Sequence, residues 1–522
     1  MKKQTVILNA LESLSIQDKI DEDRILMKNF LFDKLDNPDI NFVRLYIPPG
    51  IGKSRIMLEY ITAHPNLKFI IITLNIDMVN GIDGIKEYLD ANIGRDSWMQ
   101  VMGKTQESNI IEWDDFDHDY IVHRSKLCNR RDGEEYFPGC KGCQFSTNRS
   151  CNYWKQWQDM YRKQVVVSTI DNISRLPTNR IIFFDESFDN AILDKQLIPE
   201  EYREMILLSG ESTKKLGAHT YTFYEHASLS EDFEIINKET YFISMFFKYN
   251  TMIQARMTEK EELLVFGKKN IEFPDYQKMV FNCGTTPIDL MIEITDTKYY
   301  DGYNNGWYIH KCKHFKSNEI RNMVLSFRYN WTRKYSEASI PSIFGKLNRG
   351  LINKKILVIT KKDFISLIKP FLPKAQYTHF GIRGINTYNQ DYDLVIIYGR
   401  YGLTPIDYEC FLRIGFKKKI VDQMGISAML QAIHRFRPLL RPEIPVIIMS
   451  DQGVNFGNKP MDRKRWDDYI GNYDMEIDGD ISLGSIAVEL GYGRTKVKIA
   501  RDFIKFKRFM TTVLERDVNN LH

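Results

Sequence analysis

The residues best suited to chemistry begin at Ile47-Pro48-Pro49-Gly50-Ile51-Gly52-Lys53-Ser54. Gly50 and Gly52 carry no Cβ, so their backbone can come close to an anion, and the loop through Pro49 and Ile51 can wrap phosphates. Lys53 is placed to reach β and γ oxygens, and the Ser54 hydroxyl can ligate Mg²⁺. A second pair, Asp185-Glu186, sets two carboxylates side by side. Asp185 suits Mg²⁺, usually through water, and Glu186 suits the base that orients an attacking water. A third set is Gln431-Ala432-Ile433-His434-Arg435-Phe436-Arg437-Pro438. On a helix Gln431 and Arg435 stand at i, i+4 on one face. Arg435 would neutralise transition-state charge on a γ-phosphate, a contribution on the order of 10³-fold or more; His434 reads as a packing residue. The fourth set is Cys128, Cys140, Cys143 and Cys151, spaced C-x11-C-x2-C-x7-C, whereas Cys283, Cys312 and Cys410 stand alone. In a reducing compartment four clustered thiols hold a metal more often than they form disulfides. Their spacing suits zinc and iron–sulfur alike.

These groups need elements to carry them. Val43–Ile47 reads as a short buried strand before the glycine loop, and Arg55–Ile61 has helical spacing behind it, so the loop lies where strand passes into helix and N–H groups are exposed to an anion. Lys68–Asn75, Gln164–Thr169 and Arg180–Phe184 continue as buried strands, and the strand, helix, strand order implies a parallel sheet. Asp185 then falls at the carboxyl end of its strand, the rim that also carries the glycine loop. Met279–Asn282 is a further strand. A second α/β unit follows with strands at Lys355–Thr360, Asp393–Gly399 and Pro445–Ser450 and no second glycine loop, so one ATP per chain is expected. Residues 1–40 read as helices that end at Asn37-Pro38. The stretch 190–275, rich in Glu, Lys, Tyr and Phe, reads as a mostly helical insertion.

With 522 residues, 43% of them hydrophobic, the chain can bury several cores, and length alone suggests about three or four domains. A net charge of +4 from 72 basic and 68 acidic residues argues against a polycationic coat protein, so any nucleic-acid contact must come from local patches. No run of about 18 apolar residues and no apolar leader is present, so the expectation is a cytoplasmic protein without a membrane partner.

In their order, these motifs resemble a superfamily-2 helicase, and more narrowly the XPD/DinG family of iron–sulfur helicases. Asp185-Glu186-Ser187-Phe188 looks like that family's DEAH-type box, with Ser187 and Phe188 replacing Ala and His. Cys283-Gly284-Thr285-Thr286-Pro287-Ile288-Asp289 is similar to its motif III. Gly384-Ile385-Asn386 with the following strand resembles motif V, Gln431 to Arg435 resembles motif VI with His434 in place of Gly, and Asp451 also fits. The family's second motif VI arginine would fall at Pro438, and Arg437 lies one place early, so only Arg435 is carried over. The cysteines lie where that family carries a four-cysteine cluster domain, with Tyr153 two residues past the last, so the resemblance implies a [4Fe-4S] cluster, zinc being the alternative. Residues 190–275 lie where the family places its Arch domain.

Residues 482–499 read as a capped helix, a glycine turn and a second helix, with Ala487, Leu490, Val497 and Ile499 packed. This resembles a helix-turn-helix presenting Arg494, Thr495, Lys496 and Lys498 to DNA. The expected organisation is α/β. An N-terminal helical segment (1–40) precedes RecA-like lobe 1 (41–190, with the iron–sulfur insertion at about 90–163). The Arch-like insertion (191–275), the end of lobe 1 (276–300), RecA-like lobe 2 (301–468) and the helix-turn-helix (469–522) follow. The expected activity is ATP-dependent DNA unwinding by a monomer acting on single-stranded and forked DNA, with 5′→3′ polarity implied by the resemblance. Thr73, Thr285 and Thr286 are candidates for coupling to DNA. The rivals are an ATPase that remodels protein–DNA complexes and a nucleotide-switched DNA-binding or replication-initiation protein.

Overall fold

The computed structural model describes residues 15–73, 84–101, 152–185, 192–216, 219–236, 238–271, 273–282, 291, 307–315, 322–328, 333–351, 353–380, 388, 390–400, 403–450, 460–462, 464–475 and 482–516. Helix α1 (Ile16–Asp36) opens on a capping box in which Ser15 Oγ accepts from the Asp18 amide while the Asp18 carboxylate accepts from the Ser15 amide. It stops at Asn37, ahead of Pro38, and buries Ile20, Met27, Leu31 and Leu35, whereas Ile25 faces outward.

Strand β1 (Phe42–Tyr46) leads through the glycine loop into α2 (Lys53–Ala63), and β2 (Phe69–Thr73) follows. Helix α3 (Ile85–Asn92), strand β3 (Trp98–Gln100), helix α4 (Asn152–Asp159), β4 (Val165–Thr169) and β5 (Arg180–Phe184) continue the lobe. The strands are continuous apolar runs because both faces of the sheet are covered: Val43, Ile71 and Phe183 enter one core, and Ile70, Ile72 and Phe184 the other.

The segment expected to be mostly helical is instead mostly strand. Strands β6 (Leu193–Ile198), β7 (Ile206–Leu216) and β8 (His219–Leu229), helix α5 (Lys238–Tyr249), and strands β9 (Asn250–Met257) and β10 (Leu263–Lys269) form a five-stranded antiparallel sheet, ordered β6-β10-β9-β8-β7 and backed by α5. Its Glu and Lys content reflects a solvated face. The signal that matters is the density of β-branched and aromatic residues, as in Tyr221-Thr222-Phe223-Tyr224.

The chain returns to the first sheet with β11 (Tyr276–Phe281), and β12 (Trp307–Lys311) pairs in parallel with β1. Residues 307–311 therefore belong to the first lobe, not to the second as expected. Only Trp307 of β12 is fully buried, so this edge strand lacks the apolar run that marks its neighbours. The seven-stranded order is β12-β1-β11-β5-β2-β4-β3, with every pairing parallel.

The second lobe contains β13 (Val324–Arg328), α6 (Arg333–Leu351), β14 (Ile356–Thr360), α7 (Lys362–Ile368), β15 (Gln376–His379), β16 (Leu394–Tyr398), α8 (Pro405–Arg413), α9 (Lys418–Ile433), β17 (Val446–Met449), β18 (Met461–Asp462) and α10 (Lys464–Gly471). Its six strands are parallel in the order β15-β14-β16-β17-β13-β18. The chain is thus α/β with two RecA-like lobes. Helices α11 (Leu483–Glu489) and α12 (Val497–Glu515) close the described chain. They dock on the second sheet through Ile486, Ala487, Phe503, Phe506 and Phe509, which share a core with Phe344, Tyr398 and Trp466. Ala487, Leu490 and Ile499 are buried as expected, but Val497 is 36% exposed because it stands at the first turn of α12, ahead of the packed stripe.

The insertion sheet also touches the second lobe. Glu409 on α8 accepts from Lys214 of β7 at 2.6 Å and from Arg413 at 3.0 Å. Arg413 donates to Ser212 at 3.3 Å and lies 4.1 Å over the Phe223 ring, while its carbonyl accepts from Gln254 at 2.9 Å. Lys195 pairs with Asp407. Phe223 and Phe266 of the insertion share an apolar cluster with Phe411, Ile414 and Met424 of the second lobe.

Candidate nucleotide site

The glycine loop leaves β1 and re-enters structure at α2 with Gly52 as the capping residue. Gly50 has φ +92° and Gly52 φ +105°, a region that L side chains rarely adopt, so both positions call for glycine. No side chain caps the N-terminus of α2, which leaves its first amides for an anion. Lys53 Nζ folds back on the loop and donates to the Ile47 and Pro48 carbonyls, each at 3.2 Å.

Strand order explains the next contact. Because β11 lies between β1 and β5, the residue after β11 must stand between the loop and Asp185. Asn282 does: its Nδ2 donates to Asp185 Oδ1 at 2.8 Å, and Ser54 Oγ donates to the same oxygen at 2.6 Å. Asp185 is 6% exposed. The hydroxyl and carboxylate predicted to share Mg²⁺ therefore meet, and an oxygen-only donor set of this kind fits that hard cation. Thr73 ends β2 as a buried residue on the same rim of the sheet.

Two further elements flank the loop. From α1, Arg24 Nε donates to the Ile51 carbonyl at 2.6 Å, and its guanidinium lies 3.4 Å from the position a Cβ on Gly52 would take. Asp23 beside it is fully buried and accepts from the Lys313 amide at 2.8 Å and the His314 amide at 3.2 Å, while Glu22 pairs with the Lys313 and His314 side chains. These contacts fix α1 so that Arg24 is presented to the loop.

From the second lobe, α9 carries buried Gln431 and passes into a 3-10 turn, His434–Phe436. His434 is 3% exposed, and neither ring nitrogen has a hydrogen-bond partner. Burial, then the charges of Lys53 and Arg435, push its pKa down to about 3. Arg437 follows in the left-handed region at φ +52°, and its Cγ stands 3.8 Å from the Cβ position of Gly50. The end of α9 thus lies over the glycine loop.

The structure therefore brings the loop from Pro49 to Ser54, Asp185 and the Arg435 turn to one place. Glu186, Thr285, Thr286, Gly384, Asn386, Asp451 and the set Cys128, Cys140, Cys143 and Cys151 lie outside the described residues. Sequence reasoning missed Arg24, Asn282 and Arg437. Arg24 and Asn282 are legible only from strand order and helix placement, and Arg437 lies one place before the position the motif spacing marks. Burial, and then the charge of Asp23, push the Cys312 thiol up despite the nearby Lys53 charge, which favours its neutral form. Among the described residues no helix is long and apolar enough to cross a membrane.

No protein-family model matches the chain, and no curated protein matches it either. Similar solved structures include one titled XPD_Helicase, at 12% identity and TM-score 0.49, covering 86% of this chain and 100% of that one. Another is Xpd4 of S. tokodaii, at 10% identity and TM-score 0.40, covering 84% of this chain and 94% of that one. A third is S. cerevisiae Dbp5 bound to RNA and ADP BeF3, at 10% identity and TM-score 0.35, covering 83% of this chain and 88% of that one.

Proposed function

We propose that this chain is an ATP-dependent DNA helicase of the XPD/DinG type. The observation that carries the reading is the meeting of two lobes at one loop, where Arg437 Cγ stands 3.8 Å from the Cβ position of Gly50. A nucleotide entering there displaces Lys53 Nζ from the Ile47 and Pro48 carbonyls onto β and γ oxygens. Ser54 and Asp185 would hold Mg²⁺, which would supply charge to offset that of the phosphates. Glu186 orients the attacking water, and Arg435, on the lobe opposite Lys53, stabilises charge on the transferred group while Gln431 completes that surface. Loss of the γ-phosphate removes the anion that joins Lys53 to the arginine turn, so hydrolysis is coupled to lobe movement along single-stranded or forked DNA, in the 5′→3′ sense that the resemblance implies.

Cys128, Cys140, Cys143 and Cys151 are assigned to a [4Fe-4S] cluster on that resemblance; a four-thiolate donor set accepts zinc equally well. The assigned duty is structural, bracing a wedge beside the strand, and α11 and α12 serve as the DNA-binding helix-turn-helix.

Steady-state ATP turnover with and without single-stranded DNA, in wild type and Lys53→Ala, tests the motor. Turnover stimulated by DNA and abolished in the variant is expected, and turnover that survives Lys53→Ala overturns the reading. A strand-displacement assay separates unwinding from remodelling of protein–DNA complexes.

A further inference from the structure

Helix α12 has two contrasting faces. Ile499, Ala500, Phe503, Phe506, Phe509, Met510 and Val513 are buried against the second lobe. On the other side Lys498, Arg501, Lys505 and Arg508 are exposed, and exposed Arg494 and Lys496 precede them in the turn. The spacing of three, four and three residues sets Lys498, Arg501, Lys505 and Arg508 on one helical stripe. The acids of this helix are half-buried Asp502 at the stripe's edge and Glu515 near its far end.

We propose that this stripe is a sequence-independent clamp for the backbone of duplex nucleic acid, outside the motor cleft. Ten residues of helix rise about 15 Å, a length over which a duplex advances by about four base pairs at 3.4 Å each. The row of cations therefore spans several backbone phosphates. Single strands are disfavoured as the occupant because they are gripped by stacking bases on exposed aromatic rings, and Phe503, Phe506 and Phe509 are each at most 1% exposed. Contacts of lysine and arginine to phosphate fix position without reading bases. This differs from the helix-turn-helix expectation, which confined contact to Arg494, Thr495, Lys496 and Lys498. The stripe also lies across the second sheet from the nucleotide site: α12 packs with Ile396 and Tyr398 of β16, and the end of α9 packs with Val395 and Ile397 on the other face. A duplex held there is a tether that keeps the motor near its substrate.

The proposal rests on the reading that the chain acts on nucleic acid, and its test separates the two. Full-length protein without nucleotide is titrated into a labelled blunt duplex across a salt series, followed by fluorescence anisotropy. The wild type is compared with Lys498→Gln/Arg501→Gln/Arg508→Gln and with the charge-preserving Arg501→Lys/Arg508→Lys. At about −0.9 in log affinity against log salt per phosphate contact, loss of three contacts flattens the slope by about 2.7. The affinity should fall by about tenfold or more at low salt. The charge-preserving variant should keep the wild-type slope, and two duplexes of unrelated sequence should bind alike. An unaltered slope in the triple variant, a preference for one duplex sequence, or no duplex binding by wild type overturns the clamp. Wild type that binds duplex with the expected slope but hydrolyses no ATP supports the clamp and sinks the motor instead.

Discussion

Arg437 and Gly50 belong to different lobes, yet the Arg437 Cγ stands 3.8 Å from the point a Cβ on Gly50 would occupy. Arg437 reaches it from a left-handed backbone at φ +52°, a conformation that costs a non-glycine residue about 1–2 kcal/mol. Strain held at such a position points to a use for the side chain. Arg437→Ala is therefore expected to lower ATP turnover by about 10²-fold or more. Arg437→Gly should be as inactive yet more stable than the alanine variant by about 1 kcal/mol, because glycine relaxes the backbone. Turnover assays beside denaturant melts check both; an active Arg437→Gly enzyme excludes a role for the side chain.

Asp185 gathers the Ser54 hydroxyl and the Asn282 amide on one oxygen. Asp185→Asn keeps the volume and removes the charge. The Mg²⁺ concentration for half-maximal turnover should rise by about tenfold or more, and kcat should fall by about 10²-fold. A titration of turnover against Mg²⁺ at saturating ATP reads both, and an unchanged Mg²⁺ profile rejects the assignment.

His434 gives a pH signature. Its folded pKa is pushed down to about 3 by burial, Lys53 and Arg435, whereas an unfolded histidine titrates near about 6.5. Below the unfolded value the unfolded chain takes up a proton that the native ring refuses. The contribution is thus complete above about 6.5 and is lost as pH falls toward about 3, by up to a few kcal/mol. His434→Gln should flatten the acid limb of the stability curve over that window, as urea midpoints at stepped pH will show. An identical limb in both proteins removes His434 as the cause.

Glu409 is 7% exposed and serves both Lys214 and Arg413. Glu409→Gln leaves two cations facing a neutral group in a partly dry interface and should cost about 1–3 kcal/mol. A double-mutant cycle with Lys214→Met should show coupling of about 1 kcal/mol. Additive effects would mean that the Lys214 contact adds nothing to the docking.

The strands that position the nucleotide site were legible because each is a short apolar run buried on both faces, as in Phe69–Thr73 and Leu394–Tyr398. The loop was legible because Gly50, Gly52, Lys53 and Ser54 are adjacent in sequence. What escaped is what depends on long-range placement. Asn282 joins Asp185 only because β11 inserts between β1 and β5, and Arg24 reaches the loop only because Asp23 pins α1 to the Lys313 backbone. Arg437 lies one place off the motif spacing, yet its positive φ of +52° turns its side chain toward the loop. The insertion does not read as strand from its composition, because its Glu and Lys content masks the density of its β-branched and aromatic residues.

The docking of the insertion on α8 joins the two lobes at a place apart from the approach of Arg437 to Gly50. A contact remote from the nucleotide restrains the directions in which the lobes can part, so in the proposed motor Arg437 would leave and regain Gly50 along a guided path.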